Sequence, residues 1–131
     1  MGTWGYYNFD NDPAADFGEN FRENPTEAVL YEALTTAAEE EDYLEADEAS
    51  EALAAAEIVA AMMGKPANDF PPGLIPAIMN LNAGENEELQ ELAIEAVEAV
   101  VKSSEVQELW AESGDAAKWQ EVQQNLLERL K

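Results

Sequence analysis

The spacing of apolar and polar residues along the chain predicts α-helices. The clearest pattern runs over about residues 86–102, where apolar residues recur every three or four positions and glutamates fill the positions between them. This is the period of a helix with one buried face. A second stripe, which starts after Asp115 as the expected cap, predicts a helix at the end of the chain. No segment alternates like a strand.

The middle of the chain has a different pattern. Residues 47–63 are alanine, leucine, isoleucine, valine and methionine on nearly all sides. A helix that is apolar all round is a buried one, and alanines allow its neighbours to approach closely. We therefore expect a central helix that stops at Gly64. A proline-rich loop over residues 65–73 should follow it.

The remaining elements are predicted from start signals. Asp12 and Pro13 indicate a helix with Asp12 as its N-cap, and Asn24-Pro25 indicates a second helix through about residue 40. Short helices are expected over about residues 74–81 and from Ser104 to about residue 112. Residues 1–12 mix aromatic residues with glycine, which predicts an ordered aromatic N-terminal arm packed across the helices.

Together these elements predict an all-α fold. We expect one domain over residues 1–131, an irregular helical bundle of about six helices. A chain of this length has room for a single hydrophobic core, and its 47% apolar content is ordinary for a globular protein.

Two missing residue types narrow the chemistry. The chain has no cysteine, which excludes disulfides, thiolate metal sites and cysteine nucleophiles. It has no histidine, which excludes the commonest general base and a Ser-His-Asp triad. No signal peptide is recognisable, and the apolar run 58–63 is far shorter than the roughly 20 residues a membrane span needs. We therefore expect a cytoplasmic protein with no cofactor and no membrane contact.

Charge is the extreme feature of the composition. The chain carries 29 acidic and 6 basic residues, a net charge of −23, and no base lies between Arg22 and Lys65. Such a surface repels nucleic acid and anionic membranes, and attracts basic proteins or cations. Glutamates on the outer faces of helices that only keep a protein soluble would give the same composition, so both readings stay open.

One stretch near the N-terminus invites a metal hypothesis. Counted from Asn8 as in a calcium-binding loop, oxygen side chains fall at Asp10, Asp12, Asp16 and Glu19. The position that requires glycine for a sharp turn is Pro13, whose fixed negative φ cannot make that turn. These four acids are therefore weak metal candidates, and the helix start at Pro13 is the competing interpretation.

Three segments of the chain carry a family resemblance. They are MGTWGYYNFDNDPAADF at 1–17, YLEADEASEALAAAEIVAAMMGKP at 43–66 and SSEVQELWAESGDAAKW at 103–119. In this order they resemble the bacterial domain-of-unknown-function 4259 family along essentially the whole chain. The resemblance implies a single small intracellular domain, and it brings no established activity or catalytic residues.

Two acids in the central segment belong to the positions that the resemblance marks. Glu48 and Glu57 fall on the helix expected to be buried, so each is a candidate functional or buried polar residue. A buried carboxylate needs a partner or a raised pKa. The partner would be one of the six bases or the backbone N–H groups of the N-terminal arm.

These observations predict a non-enzymatic acidic protein that binds a basic partner protein, of the inhibitor, immunity or adaptor type. The alternative is a carboxylate-based metal-binding protein or enzyme near Asp10, Asp12 and Asp16. The sequence leaves the partner, the biological process and the oligomeric state open.

Overall fold

The structure is a computed structural model that describes residues 7–40, 43–81 and 87–131. Within these residues the chain forms seven α-helices and one 3-10 turn, and no strand. The elements are α1 Asp12–Glu23, α2 Glu27–Ala38, α3 Ala46–Met62, the 3-10 turn Pro72–Leu74, α4 Ile75–Leu81, α5 Glu87–Lys102, α6 Glu105–Ser113 and α7 Ala116–Leu130. The all-α prediction is confirmed, with seven helices where about six were expected.

Helix α3 is the centre of the molecule, as its sequence predicts. It packs against all six other helices. Every residue from Ala52 to Ala60 is buried, and five of these nine are alanine. Because small side chains leave room on every side of the helix axis, neighbours can close around α3 without leaving voids.

The surrounding helices fill the core with larger side chains. Helix α1 buries Phe17 and Phe21, four residues apart on one face, as expected. The stripes predicted on the last two long segments are also confirmed. The fully or nearly fully buried apolar residues there are Leu89, Ala93, Ala96, Val97 and Val100 of α5 and Trp119, Leu126 and Leu130 of α7.

The starts of α1 and α2 differ from the prediction. The N-cap of α1 is Asn11, whose Oδ1 accepts from the Ala14 backbone N–H at 2.9 Å, so Asp12 lies in the first turn and does not cap. In that position its negative carboxylate still stabilises the helix by interacting with the positive end of the helix dipole. Helix α2 is capped by Thr26, because Asn24 belongs to the C-terminal end of α1.

The later helix ends agree more closely with the sequence. Gly64 follows α3 with φ +84° and Gly114 follows α6 with φ +91°, the left-handed backbone that glycine adopts without strain. Ser104 caps α6 as expected, and its hydroxyl accepts from the Gln107 backbone N–H. Asp115 is the N-cap residue of α7, but its side chain makes no capping hydrogen bond. The 65–73 loop ends in the 3-10 turn.

Only part of the aromatic arm falls within the described residues. Residues 1–6, with Trp4 and Tyr6, lie outside them. Asn8 and Phe9 are buried, and the Phe9 ring meets the Phe70 ring edge to face at 5.8 Å between centroids. Tyr7 is exposed. An ordered arm over all of residues 1–12 therefore remains a prediction.

The connection into α3 is held against the start of α6. The backbone of Leu44 accepts from the Glu105 N–H at 2.8 Å and donates to the Ser103 carbonyl at 3.3 Å. The Tyr43 hydroxyl donates to Glu108 Oε2 at 2.8 Å, and this bond to a carboxylate raises the pKa of Tyr43 to about 12. These contacts fix where α3 begins.

Among the helices that the structure describes, none has both the length and the apolar character needed to cross a bilayer.

The close packing around α3 gives a first prediction. Replacing fully buried Ala54 by leucine should lower the free energy of unfolding by about 1–3 kcal/mol, because the added atoms have no space. Ala28→Leu, at an exposed position of α2, should change it by less than about 0.5 kcal/mol. Urea denaturation of both variants is the test, and equal effects would contradict the packing described here.

Candidate functional site

A buried ion pair lies at the C-terminal half of α3. The Glu57 side chain is 3% exposed and the Arg129 side chain of α7 is 14% exposed. Arg129 donates through one terminal nitrogen to Glu57 Oε1 at 2.9 Å and through the other to Oε2 at 3.3 Å. This two-point contact is the strong form of the pairing. The structure thus places Glu57, one of the two candidate functional or buried polar residues, beside a base.

The ion pair is extended by side-chain amides. Asn8 Nδ2 donates to Glu57 Oε2 at 2.8 Å, and Asn8 Oδ1 accepts from Gln123 Nε2 at 2.7 Å. Arg129 also donates from Nε to Asn125 Oδ1 at 2.7 Å. The network therefore joins the segment before α1, the central helix and the last helix. In the described part of the N-terminal arm, the donor to Glu57 is a side-chain amide and not a backbone N–H.

This arrangement makes Glu57 a structural residue. Its two oxygens accept three hydrogen bonds, two of them from a cation. Both oxygens of this carboxylate are therefore occupied by donors from the protein itself.

An open groove of about 640 Å³ lies beside the network. It is lined by the 67–69 segment and by α7, and it contains two of the six basic side chains, Lys118 and Arg129. Burial raises the pKa of the Asp69 carboxyl, and the neighbouring Asp10 charge adds to this rise. The groove thus carries both signs of charge.

Two further grooves lie along the N-terminal half of α3. The first, between α1 and α3, has a volume of about 450 Å³, and the second, between α2 and α3, about 230 Å³. They share Phe17 and Glu51, and together we call them the acidic groove. Its carboxylates are Asp12 and Asp16 of α1, Glu32 of α2, and Asp47, Glu48 and Glu51 of α3. No lysine or arginine is among the lining residues.

The acids of this groove repel one another. Burial raises the pKa of the Glu51 carboxyl, and the charges of Asp47, Glu48 and Glu32 raise it further. The floor beside them is apolar, because Phe17, which is buried, and the partly buried Val29 and Ala33 line the same space. The groove is therefore an anionic depression with an apolar base.

The four metal candidates do not share one place. Asp12 and Asp16 lie one turn apart on α1 and line the acidic groove, whereas Glu19 forms an exposed ion pair with Arg22. Asp10 precedes the helix and acts on Asp69. Residues 12–23 are helical, so they do not wrap as a calcium loop does. In the described part of the chain, no three acidic side chains are arranged to hold a metal ion.

The comparisons with known proteins identify a family and no relative of known function. The family model described as "Domain of unknown function (DUF4259)" matches residues 2–122. The chain belongs to the DUF4259 family. No curated protein and no solved structure matches the chain.

The acidic groove contains residues that sequence reasoning missed in this DUF4259 chain. Asp12, Asp16 and Glu48 were singled out, but Glu32, Asp47 and Glu51 were not. The signal was present in the spacing of Asp47 and Glu51, four apart on a helix, which places both on one face. That this face meets α1 and α2 depends on tertiary packing.

The buried pair predicts a strongly non-additive double-mutant cycle. Arg129→Met leaves the Glu57 carboxylate buried without a cation, which should cost about 3–5 kcal/mol of unfolding free energy. Glu57→Gln should cost less, because Arg129 is the more exposed partner. The double variant should be more stable than Arg129→Met alone. Urea denaturation of all four proteins measures this.

Additive losses in that cycle would show that the two side chains do not depend on each other. The matched control is Arg22→Met, which breaks the exposed ion pair with Glu19 and should change stability little.

The raised pKa of Glu51 predicts that removing its charge stabilises the protein by an amount that depends on pH. At about pH 7 the ionised Glu51 disfavours the folded state, so Glu51→Gln should be more stable than the wild type. Below the ordinary glutamate pKa of about 4.3, Glu51 is protonated in both states and the gain should vanish. The control is Glu91→Gln at an exposed position of α5, which removes the same charge. An equal gain from both variants, measured by urea denaturation, would point to net charge alone.

Proposed function

We propose that this DUF4259 protein binds a basic partner protein through the acidic groove. The observation that carries the proposal is the six-carboxylate groove without a base among its lining residues. The same chain places Arg129 against Glu57, the one glutamate that is buried within the part of the chain that the structure describes. The fold therefore neutralises a carboxylate where stability needs it and leaves the groove acids without a cation.

The shape of the groove suits lysine or arginine side chains. Their aliphatic stems can lie on Phe17, Val29 and Ala33, while their charged ends meet the carboxylates above. Opposite charges on two surfaces speed association and favour one orientation, and the attraction is screened by salt. A partner held in this way should dissociate as salt rises.

The role we propose is non-enzymatic, of the inhibitor, immunity or adaptor type, in a cytoplasmic setting and without nucleic acid. The alternative is a metal-binding protein or enzyme that uses Asp10, Asp12, Asp16 or Glu19. The feature that favours the metal-binding alternative is one groove lined by four acids, Asp12, Asp16, Asp47 and Glu51.

The test uses two variants of equal net charge. The groove variant carries Asp16→Asn, Glu32→Gln and Glu51→Gln, and the control carries Glu91→Gln, Glu95→Gln and Glu98→Gln on the exposed face of α5. First-turn acids such as Asp12 and Asp47 are kept, because they stabilise their helices. Each tagged protein is used to capture partners from lysate of its source organism at low and high salt.

We expect one basic protein to be captured in stoichiometric amount by the wild type and the α5 control at low salt. The groove variant should fail to capture this protein, and high salt should release it from the wild type. Loss of the same partner from the α5 control would mean that net charge, and not the groove, is recognised. No partner at either salt, together with a Ca²⁺-dependent rise in melting temperature that Asp16→Ala abolishes, would favour the metal-binding alternative.

A further inference from the structure

The surface of α4 differs from the acidic groove because it is apolar and carries no charge. No residue from Phe70 to Gly84 carries a charge, in a chain whose net charge is −23. Within this stretch Met79 is 75% exposed and Ile75 is 38% exposed. Pro72 and Pro76 are exposed as well. We call these four residues the α4 patch.

Helix α4 is apolar on its inner side too. Ala77 is buried, and so is Leu74 of the preceding 3-10 turn, which lies against α1 near Gly18. Among the α4 side chains that the structure describes, those of residues 75–79, none is polar, whereas an ordinary surface helix turns a polar face to water. Exposed apolar residues that form one contiguous patch are typical of interaction sites, whereas single scattered ones are not.

We propose that the α4 patch is a contact between two copies of this chain. Two chains that each carry a charge of −23 repel each other wherever their acid-rich faces meet. A charge-free face is the one through which a second copy can approach at the lowest electrostatic cost. A basic partner, by contrast, gains nothing from a surface that offers no carboxylate.

The residue spacing fits a two-fold contact. Ile75 and Met79 lie one turn apart on α4, so an antiparallel pairing places Met79 of each copy against Ile75 of the other. The contact is small, since α4 has seven residues and a stable dimer buries about 800 Å² on each partner. We therefore expect a weak dimer that forms as the protein concentration rises.

This contact and the proposed binding of a basic partner respond to salt in opposite directions. Salt screens the repulsion between two acidic copies, and it also screens the attraction between an acidic and a basic protein. Dimerisation through α4 should therefore strengthen under the conditions that release a basic partner. The two proposals can fail independently.

The experiment is sedimentation velocity of the full chain over a range of concentrations, at about 0.1 M and about 1 M NaCl, where the screening length falls from about 10 Å to about 3 Å. The average mass should rise from 14.4 kDa toward twice that value, and the dimer dissociation constant should fall about threefold or more with salt.

Met79→Gln tests the contact itself, because it keeps the length of the side chain and its neutral charge. It should weaken the dimer by on the order of tenfold or more, since each dimer loses two apolar contacts. The matched control is Leu109→Gln on α6, 44% exposed, which should leave the dimer unchanged.

A monomer at every concentration and both salts would overturn the proposal. So would a dimer that weakens with salt, which would indicate ion pairs, or an equal loss from Leu109→Gln.

Discussion

The structure depends on the placement of one carboxylate inside it. Glu57 lies on the helix that contacts all six others, at a point with 3% exposure, where an unpaired charge would cost about 3–5 kcal/mol of unfolding free energy. Arg129 and Asn8 make that position tolerable, and these two residues lie near the two ends of the chain. The network therefore ties the segment before α1 and the last helix to the middle of α3. This polar network on an alanine-rich helix connects residues near both ends of the chain to the core.

The two halves of α3 treat their acids in opposite ways. In the C-terminal half, Glu57 receives an arginine and an amide. In the N-terminal half, Glu51 is partly buried beside Asp47 and Glu48, and the groove around it is lined by no base. Mutual repulsion of this kind lowers stability, and residues that lower stability are commonly found at functional sites. Attraction of a cationic surface is the use that the shape and the apolar floor of the groove support.

Sequence patterns predicted the long helices well because burial alone determines them. The alanine-rich stretch of α3 and the stripe of α5 require no knowledge of their neighbours. The start of α1 was placed one residue late, because Asn11 and Asp12 are both good caps and Pro13 fits either register. Glu57 was expected to need a base, but the choice of Arg129 among six bases depends on how α7 crosses α3. The acidic groove joins residues of three helices, and only Asp12, Asp16 and Glu48 of them are candidate site residues from the sequence.

The most direct test of this account is a hydrogen-exchange map of the protein with and without the basic partner that we propose. Binding at the acidic groove predicts slower amide exchange over residues 12–20 and 46–52, with α5 residues 87–98 unchanged. Protection that falls on α5 or on α4 instead, with the groove helices exchanging as before, would contradict the assignment of the acidic groove as the binding surface.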